Sequence, residues 1–236
     1  MALSLDLTGK VVLVTGGTRG IGRGITSAFL DAGASVVTCS RSDVEPVPGS
    51  THRVCDVRDP EAVTALVEAV VSEQGRLDVL VNNAGGAPST DAATASPRFH
   101  DKILALNLSA PLMLAQAANR VMQEQGSGAI VNISSIARQG SFGQTNYAAA
   151  KAGVVAMAEV WARELARFNI RTGVVAPGTI NTDMIAAMKP EARDRLVSSV
   201  PLKRLGEPEH IARSVQFIFE NDYFTGRVIE TDGGLR

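Results

Sequence analysis

The first pair of side chains in this sequence that suggests catalysis is Tyr147 and Lys151, four residues apart. In a helix this spacing places both side chains on one face, about one turn apart. A free phenol loses its proton near pH ~10, but a neighbouring ammonium group and a helix N-terminus both favour the phenolate. Tyr147 is therefore a candidate general acid or base, although Tyr and Lys also occur at this spacing by chance in many helices.

A second candidate site lies in the glycine-rich turn 15–22, which follows an apolar run and precedes a helical pattern. Gly16, Gly20 and Gly22 have no Cβ, so the chain can turn sharply and bring main-chain amides close to a phosphate. Its position after a first strand indicates a dinucleotide site, and the alternative is a βα turn with a purely structural role.

Further polar residues accompany these two sites. Ser134 and Ser135 end a strand-like run upstream of the tyrosine, and Asn107 lies in an earlier helical stretch. Asn, Ser, Tyr and Lys in this order, together with the glycine spacing Gly-x-x-x-Gly-x-Gly, resemble the short-chain dehydrogenase/reductase family. The resemblance extends from Thr8-Gly-Lys10 to Thr231-Asp-Gly-Gly234, which is almost the whole chain.

The resemblance implies a catalytic role for each of the four residues. Tyr147 would protonate a carbonyl oxygen as hydride arrives from a nicotinamide. Lys151 would bind the nicotinamide ribose and lower the pKa of the tyrosine. Ser135 would polarise the carbonyl by a hydrogen bond, and Asn107 would hold a water molecule in the proton relay.

The choice of serine leaves an alternative open. In the family the serine is generally the second of the strand-end pair and lies thirteen residues before the tyrosine. Here Ser135 is second but lies twelve residues before Tyr147, whereas Ser134 lies thirteen before it. Alignment on the strand favours Ser135 and implies a one-residue deletion within 136–145.

The end of the second strand predicts the choice of cofactor. A carboxylate at this point accepts hydrogen bonds from ribose hydroxyls, whereas a cation pairs with a 2′-phosphate. Ser40 stands where NAD-preferring members usually carry Asp, Arg41 follows it, and Arg19 in the glycine-rich turn supplies a second guanidinium. This pattern resembles the NADP-preferring members, so we expect NADP(H) over NAD(H). The alternative for Arg41 is a solvated loop arginine.

Other segments complete the expected cofactor site. The resemblance places Asp56 and Val57 beside the adenine, although Asp56 also fits a turn cap, and it places Ile180 and Thr182 at the nicotinamide carboxamide. The residues expected to bind the cofactor are Gly16, Thr18, Arg19, Gly20, Ile21, Gly22, Ser40, Arg41, Asp56, Val57, Asn83, Ala84, Gly85, Tyr147, Lys151, Pro177, Gly178, Ile180 and Thr182. No metal site is expected.

The elements that must position these residues follow from the hydrophobic pattern. Seven short apolar runs predict strands at 11–15, 35–40, 52–55, 79–82, 129–134, 171–175 and 227–230. Their continuous hydrophobicity and the intervening helical segments predict an α/β fold, a Rossmann-like doubly wound parallel sheet with helices on both faces. Helices are expected at 21–32, 60–75, 97–126, 146–167 and 208–219, from capping residues, prolines and glycine stops.

We expect a single domain over 1–236, with variable substrate loops at about 85–96 and 183–206, the second a mobile helical flap. The connection 41–51 carries two prolines and a glycine and is too short for a full crossover helix. The second crossover is therefore expected to be truncated.

Composition limits the classes of partner. The 236 residues carry 23 basic and 24 acidic side chains without a basic block, which argues against capture of nucleic acid or anionic membrane. Cys39 and Cys55 lie in strand-like runs and are expected to be reduced, buried thiols. The N-terminus shows no secretory signal, so a cytoplasmic protein is expected.

Within the family, the sequence looks most like bacterial 3-oxoacyl-[acyl-carrier-protein] reductases. Those enzymes usually carry basic residues where this chain has 126–128 and Phe168, which puts docking of an acidic carrier in doubt, although Arg163, Arg167 and Lys203 are possible substitutes. An alternative is a non-catalytic NADP-binding regulator, and a pure interaction protein is a third. Small apolar residues on the two long helices predict a homotetramer.

Overall fold

The computed structural model of the protein describes residues 5–86, 92 and 94–235. Its strands are β1 (Val11–Thr15), β2 (Ser35–Ser40), β3 (Thr51–Val54), β4 (Val79–Asn82), β5 (Gly128–Ile133), β6 (Ile170–Pro177) and β7 (Arg227–Thr231). They form one parallel sheet in the order β3-β2-β1-β4-β5-β6-β7. The predicted single-domain, doubly wound Rossmann-like fold is confirmed.

Helices cover both faces of this sheet, as the buried strands require. They are α1 (Gly20–Asp31), α2 (Pro60–Gln74), α3 (Pro97–Leu104), α4 (Ala110–Gln125), α5 (Thr145–Leu165), α6 (Asp183–Ala186), α7 (Pro190–Ser199) and α8 (Pro208–Glu220). Capping residues in the sequence predict where helices start. At the start of α2, Asp59 accepts hydrogen bonds from the amides of Glu61 and Ala62, as a capping residue does. Two clusters of buried apolar side chains, one on each face, hold the layers together.

The single helix predicted over 97–126 is wrong in one respect, because a π-helical turn, Ala105–Ser109, separates α3 from α4. The cause is the amide side chain of Asn107, which donates to the main-chain carbonyl of Ile103 at 3.0 Å and so competes with the helical ladder. Such turns are frequent at functional sites. This one holds Asn107 fully buried.

The truncated crossover between β2 and β3 is confirmed, and the structure describes every residue of this connection. The chain makes an irregular link in which the side chain of Val47 is buried and the amide of Ser50 donates to the carbonyl of Val47. Gly49 has a φ of +89°, which favours glycine at this tight turn. The short connection leads into β3, which pairs with β2 and is the edge strand of the sheet.

The predicted flap at 183–206 contains the short helices α6 and α7. Of the predicted loop 85–96, residues 87–91 and 93 lie outside the described residues. Cys39 and Cys55 are free, buried thiols, as predicted. Within the described ranges, no helix is long and apolar enough to cross a membrane.

Candidate active site

The candidate residues meet at the carboxyl edge of the sheet, next to the point where strand order reverses between β1 and β4. In open α/β sheets this crevice is the usual ligand site. The glycine-rich turn follows β1, the segment 83–85 follows β4, the two serines follow β5, and residues 178–182 follow β6. Each of these four strands, β1, β4, β5 and β6, thus contributes at least one predicted residue.

The glycine-rich turn has the shape that a phosphate cradle requires. Gly16 and Gly20 adopt positive φ values of +64° and +50°. A Cβ on Gly22 would lie 2.1 Å from the carbonyl oxygen of Gly16, so a side chain is excluded there. These three positions need glycine for backbone reasons.

The first turn of α1 offers free amides to an anion. Its N-cap residue, Arg19, forms no side-chain cap. The leading N–H groups of a helix lack intrahelical partners and carry a partial positive charge, so they fit a pyrophosphate. Thr18 and Ile21 are half-buried beside this end. The residues present therefore fit the phosphates of a dinucleotide.

Thr15 joins this turn to the segment after β4, a role that sequence reasoning missed. Its hydroxyl oxygen accepts from the amides of Asn83 at 3.0 Å and Ala84 at 2.9 Å. The side-chain amide of Asn83 donates back to the carbonyl of Thr15 at 2.8 Å. A polar residue at the end of an otherwise apolar strand was the available signal.

Ser40 and Arg41, the two residues expected to contact the adenine ribose of the cofactor or its 2′-phosphate, lie at the end of β2. Arg41 is exposed and makes no hydrogen bond or salt bridge with any described residue. The side chain of Arg19 is likewise exposed and makes no such contact with the described residues. The hydroxyl of Ser40 donates to the carbonyl of Ser42 at 2.8 Å. The guanidinium groups of Arg41 after β2 and of Arg19 in the glycine-rich turn are thus both available to a ligand.

Asp56 and Val57 have partners inside the protein. Asp56 pairs with Arg58, whose Nε lies 2.9 Å from Oδ1, and also accepts from the amide of Arg58. This bond lowers the pKa of Asp56 to about 2, with a smaller effect from Arg41. Val57 is buried in the core. The turn-cap interpretation of Asp56 fits this geometry, and contact with an adenine stays a prediction.

The four predicted catalytic residues come together at the ends of β4 and β5. Lys151, only 3% exposed, donates from Nζ to the carbonyl of Ile133 at 2.8 Å, and its Nζ lies 5.6 Å from the ring centre of Tyr147. A Cβ on Gly85 would lie 2.8 Å from Oδ1 of Asn107 and 3.4 Å from Nζ of Lys151. Gly85 therefore allows the asparagine and the lysine to approach the same segment.

The two serines have different partners. Ser134 is buried, and its hydroxyl donates to the carbonyl of Lys151 at 2.7 Å. Ser135 is half-buried, its Oγ accepts from the amide of Ala137 at 3.1 Å, and its hydroxyl is close enough to Tyr147 to act against the rise in the pKa of the phenol. Of the two serines, Ser135 is therefore the one beside the phenol.

Burial controls the proton affinity of both groups of the Tyr–Lys pair. It raises the pKa of Tyr147, and the neighbouring Ser135 hydroxyl opposes this only in part. It also lowers the pKa of Lys151 from the ordinary 10.5 to about 8. At neutral pH the phenol is therefore protonated and the ammonium charged, while the expected lowering of the tyrosine pKa by Lys151 stays a prediction.

The segment after β6 closes the crevice. Pro177 ends β6 and is buried, and the amide of Gly178 donates to the carbonyl of Thr231 at 3.0 Å. The side chain of Ile180 lies in the core, so only its main chain is available to a ligand. Thr182 packs on the glycine-rich turn, with its Cγ2 atom 3.3 Å from where a Cβ of Gly20 would stand.

A Rossmann-like scaffold that carries a phosphate cradle next to a Tyr–Lys pair defines a class of nucleotide-dependent oxidoreductase. A family model described as "Enoyl-(Acyl carrier protein) reductase" (adh_short_C2) matches residues 16–236. The chain belongs to the short-chain dehydrogenase/reductase family.

Individual proteins agree with this membership. The chain is 40% identical to the 3-oxoacyl-[acyl-carrier-protein] reductase FabG of Thermotoga maritima, over 98% of this chain and 99% of that protein. It is 37% identical to the 3alpha-hydroxysteroid dehydrogenase of Mediterraneibacter gnavus, over 98% of each. A solved structure described as "Crystal structure of gox2181" superposes with a TM-score of 0.93 at 30% identity, over 98% of this chain and 97% of that one.

Proposed function

We propose that the protein is an NADP(H)-dependent oxidoreductase that interconverts a carbonyl compound and a secondary alcohol. The observation that supports this most is the convergence of Tyr147, Ser135 and Lys151 at the carboxyl edge of the sheet. A bound nicotinamide would supply or accept the hydride. The side chains of the protein would handle the accompanying proton.

The environment of each side chain suits its proposed part in reduction. The raised pKa of Tyr147 keeps the phenol protonated, so it can donate to the carbonyl oxygen. The Ser135 hydroxyl, next to the phenol, would polarise the same oxygen. Lys151 would hold the ribose and contribute positive charge, and Asn107 would hold a water molecule. Positioned acid/base groups of this kind contribute roughly 10² to 10⁴ in rate.

The choice of NADP(H) is supported by positive charge in the turns that follow β1 and β2. Arg41 and Arg19 are exposed and without a salt bridge to the described residues, and Ser40 offers no carboxylate there to repel a phosphate. A guanidinium group binds phosphate oxygens in pairs, which makes Arg the suited side chain.

Separate titrations with NADPH and NADH, followed by fluorescence of the reduced nicotinamide, test this proposal. NADPH should bind more tightly than NADH. If neither binds, the enzyme proposal is wrong. A clear preference for NADH would remove the proposed role of Arg41.

For the substrate, we propose a 3-oxoacyl thioester carried by an acyl-carrier protein. The names of relatives at 37–40% identity support this choice. Exposed Arg163 near the end of α5 and exposed Arg167 just after it supply positive charge near Phe168, where a basic residue is absent. A ketone of the steroid type is the second candidate, favoured by the hydroxysteroid dehydrogenase relative.

Oxidation of NADPH with a panel of substrates separates these candidates. The panel contains one 3-oxoacyl group on a carrier protein, the same group on a small thiol, and small, quinone and steroid ketones. The carrier-bound thioester should react fastest. Equal rates on carrier and small thiol would argue against docking, and binding of NADPH without any turnover would favour the non-catalytic alternative.

We also propose a homotetramer assembled through α4 and α5. Leu112 on α4 and Val160 on α5 are 37% and 51% exposed, so each helix presents an apolar side chain to solvent. Ala158, one of the small residues that suggested this interface, is instead fully buried within the chain. The interface would therefore use the outer faces of these helices.

A further inference from the structure

His52 on β3 connects two parts of the candidate cofactor site, although the sequence pattern gave it no role. It pairs in register with Thr38 of β2, so both side chains lie on one face of the sheet. Nδ1 lies 3.0 Å from the hydroxyl of Thr38, and Nε2 lies 3.2 Å from both the hydroxyl of Ser40 and the carbonyl of Ser42.

The hydrogen-bond roles in this cluster follow from its donors and acceptors. The Ser40 hydroxyl already donates to the Ser42 carbonyl, so both of these oxygens face Nε2 as acceptors. Nε2 therefore carries a proton and donates to them. Nδ1 then accepts from the Thr38 hydroxyl, for which the Thr51 carbonyl at 3.3 Å is the more distant partner. The tautomer with its proton on Nε2 therefore satisfies both nitrogen atoms of the ring.

Each end of the ring touches a different cofactor element. Thr38 supports the glycine-rich turn, since a Cβ on Gly17 would lie 2.6 Å from its Cγ2 atom. At the other end, Ser40 and Ser42 flank Arg41. Because no helix follows β2, the described contacts that hold this three-residue turn come largely from β3 and from the turn itself.

We propose that His52 is a positioning residue for recognition of the 2′-phosphate: its Nε2–H holds the turn 40–42 in the conformation that presents Arg41. This inference rests on the proposed use of NADP(H). An unheld turn would lose conformational freedom on binding, and this cost lowers affinity. NADH lacks the phosphate that Arg41 would bind, so its affinity should depend little on the turn.

Two substitutions separate the two ends of the ring. His52→Gln keeps a donor at about the position of Nε2, whereas His52→Asn keeps an acceptor toward Thr38 but does not reach the turn. Binding of NADPH and NADH to both variants is measured by fluorescence titration, with thermal unfolding to show that each is folded. His52→Asn should bind NADPH about five- to tenfold more weakly, His52→Gln within about threefold of wild type, and NADH should change less than about twofold.

Unchanged NADPH binding by His52→Asn would overturn the inference, as would equal losses for NADPH and NADH. Hydrogen exchange of the protein alone gives an independent readout: amides of residues 41–45 should exchange faster in His52→Asn than in wild type or His52→Gln. If His52→Asn does not fold, Thr38→Val removes the hydroxyl that orients the ring at Nδ1 while leaving the Ser40–Ser42 bond in place, and it should show the same faster exchange. No preference of the wild type for NADPH would refute the proposed cofactor, while the exchange comparison would still report whether His52 holds the turn.

Discussion

The hydroxyl of Ser134 donates to the main-chain carbonyl of Lys151 over 2.7 Å, which ties the end of β5 to the helix that carries the Tyr–Lys pair. The adjacent Ser135 instead accepts from the amide of Ala137 at 3.1 Å and lies beside Tyr147, where it influences the pKa of the phenol. Of these two neighbouring serines, Ser134 thus fixes the position of α5, whereas Ser135 is the one proposed to take part in the chemistry. Counting residues back from the tyrosine does not distinguish them, but the direction of the side chains does.

We expect Ser135→Ala to lower turnover by about 10²-fold or more, because a group proposed to polarise the carbonyl is lost. Ser134→Ala should change turnover by less than about threefold and lower the free energy of unfolding by about 1 kcal/mol, since a carbonyl loses its donor. Steady-state kinetics and urea unfolding of both variants check this. Comparable losses of turnover, or the reverse order, would contradict the assignment of Ser135.

The burial of Lys151 predicts a stability that rises with pH. Its pKa is lowered to about 8, so between this value and the ordinary 10.5 the unfolded chain binds more protons than the folded chain. The free energy of unfolding must then increase with pH in this window. Relative to Lys151→Met, which has no such titration, wild type should gain about 2 kcal/mol between about pH 7.5 and 9.5.

Urea unfolding of both proteins at the two pH values measures this difference. Lys151→Met should show no measurable turnover, because the proposed ribose-binding ammonium group is lost. It should remain folded, because the substitution removes a charge that is costly to bury. A constant difference in stability across the pH range would show that the lysine titrates normally in the folded protein.

Arg41→Asp should exchange a cation for a carboxylate at the tip of β2 and so reverse the preference for NADPH. Each tenfold loss of affinity corresponds to about 1.4 kcal/mol, and we expect a loss of about 10²-fold. Fluorescence titration measures it, with Arg213→Asp, at an exposed position of α8, as a charge-matched control. Equal effects of the two substitutions would mean that net charge, and not a phosphate contact, sets the affinity.

Sedimentation velocity should give a particle of about four times the 24.7 kDa chain if the proposed tetramer forms. Val160→Glu places a charge on the outer face of α5 and should dissociate it. Tyr223→Glu, at a side chain that is 97% exposed outside these helices, serves as the control. A monomeric wild type would refute the proposal directly.

The sequence predicted those features that depend on local pattern. Continuous apolar runs such as β4 fit only a strand covered on both faces, and Asp59 before Pro60 marks a helix start. The π-helical turn escaped prediction because it depends on the direct bond from Asn107 to Ile103. The contacts of His52 escaped it as well, since they depend on the pairing of β3 with β2 in one particular register.

The sheet ends at β3, whose outer side is an open edge, a place where another chain can add a strand. Several features of β3 oppose such pairing: it has only four residues, and its Arg53 is half-buried and bonded to Glu73 of α2. Val54, 60% exposed, is the apolar side chain that this edge leaves in contact with water. Protection against strand addition and aggregation thus rests on a few charged and polar residues in place of a covering helix.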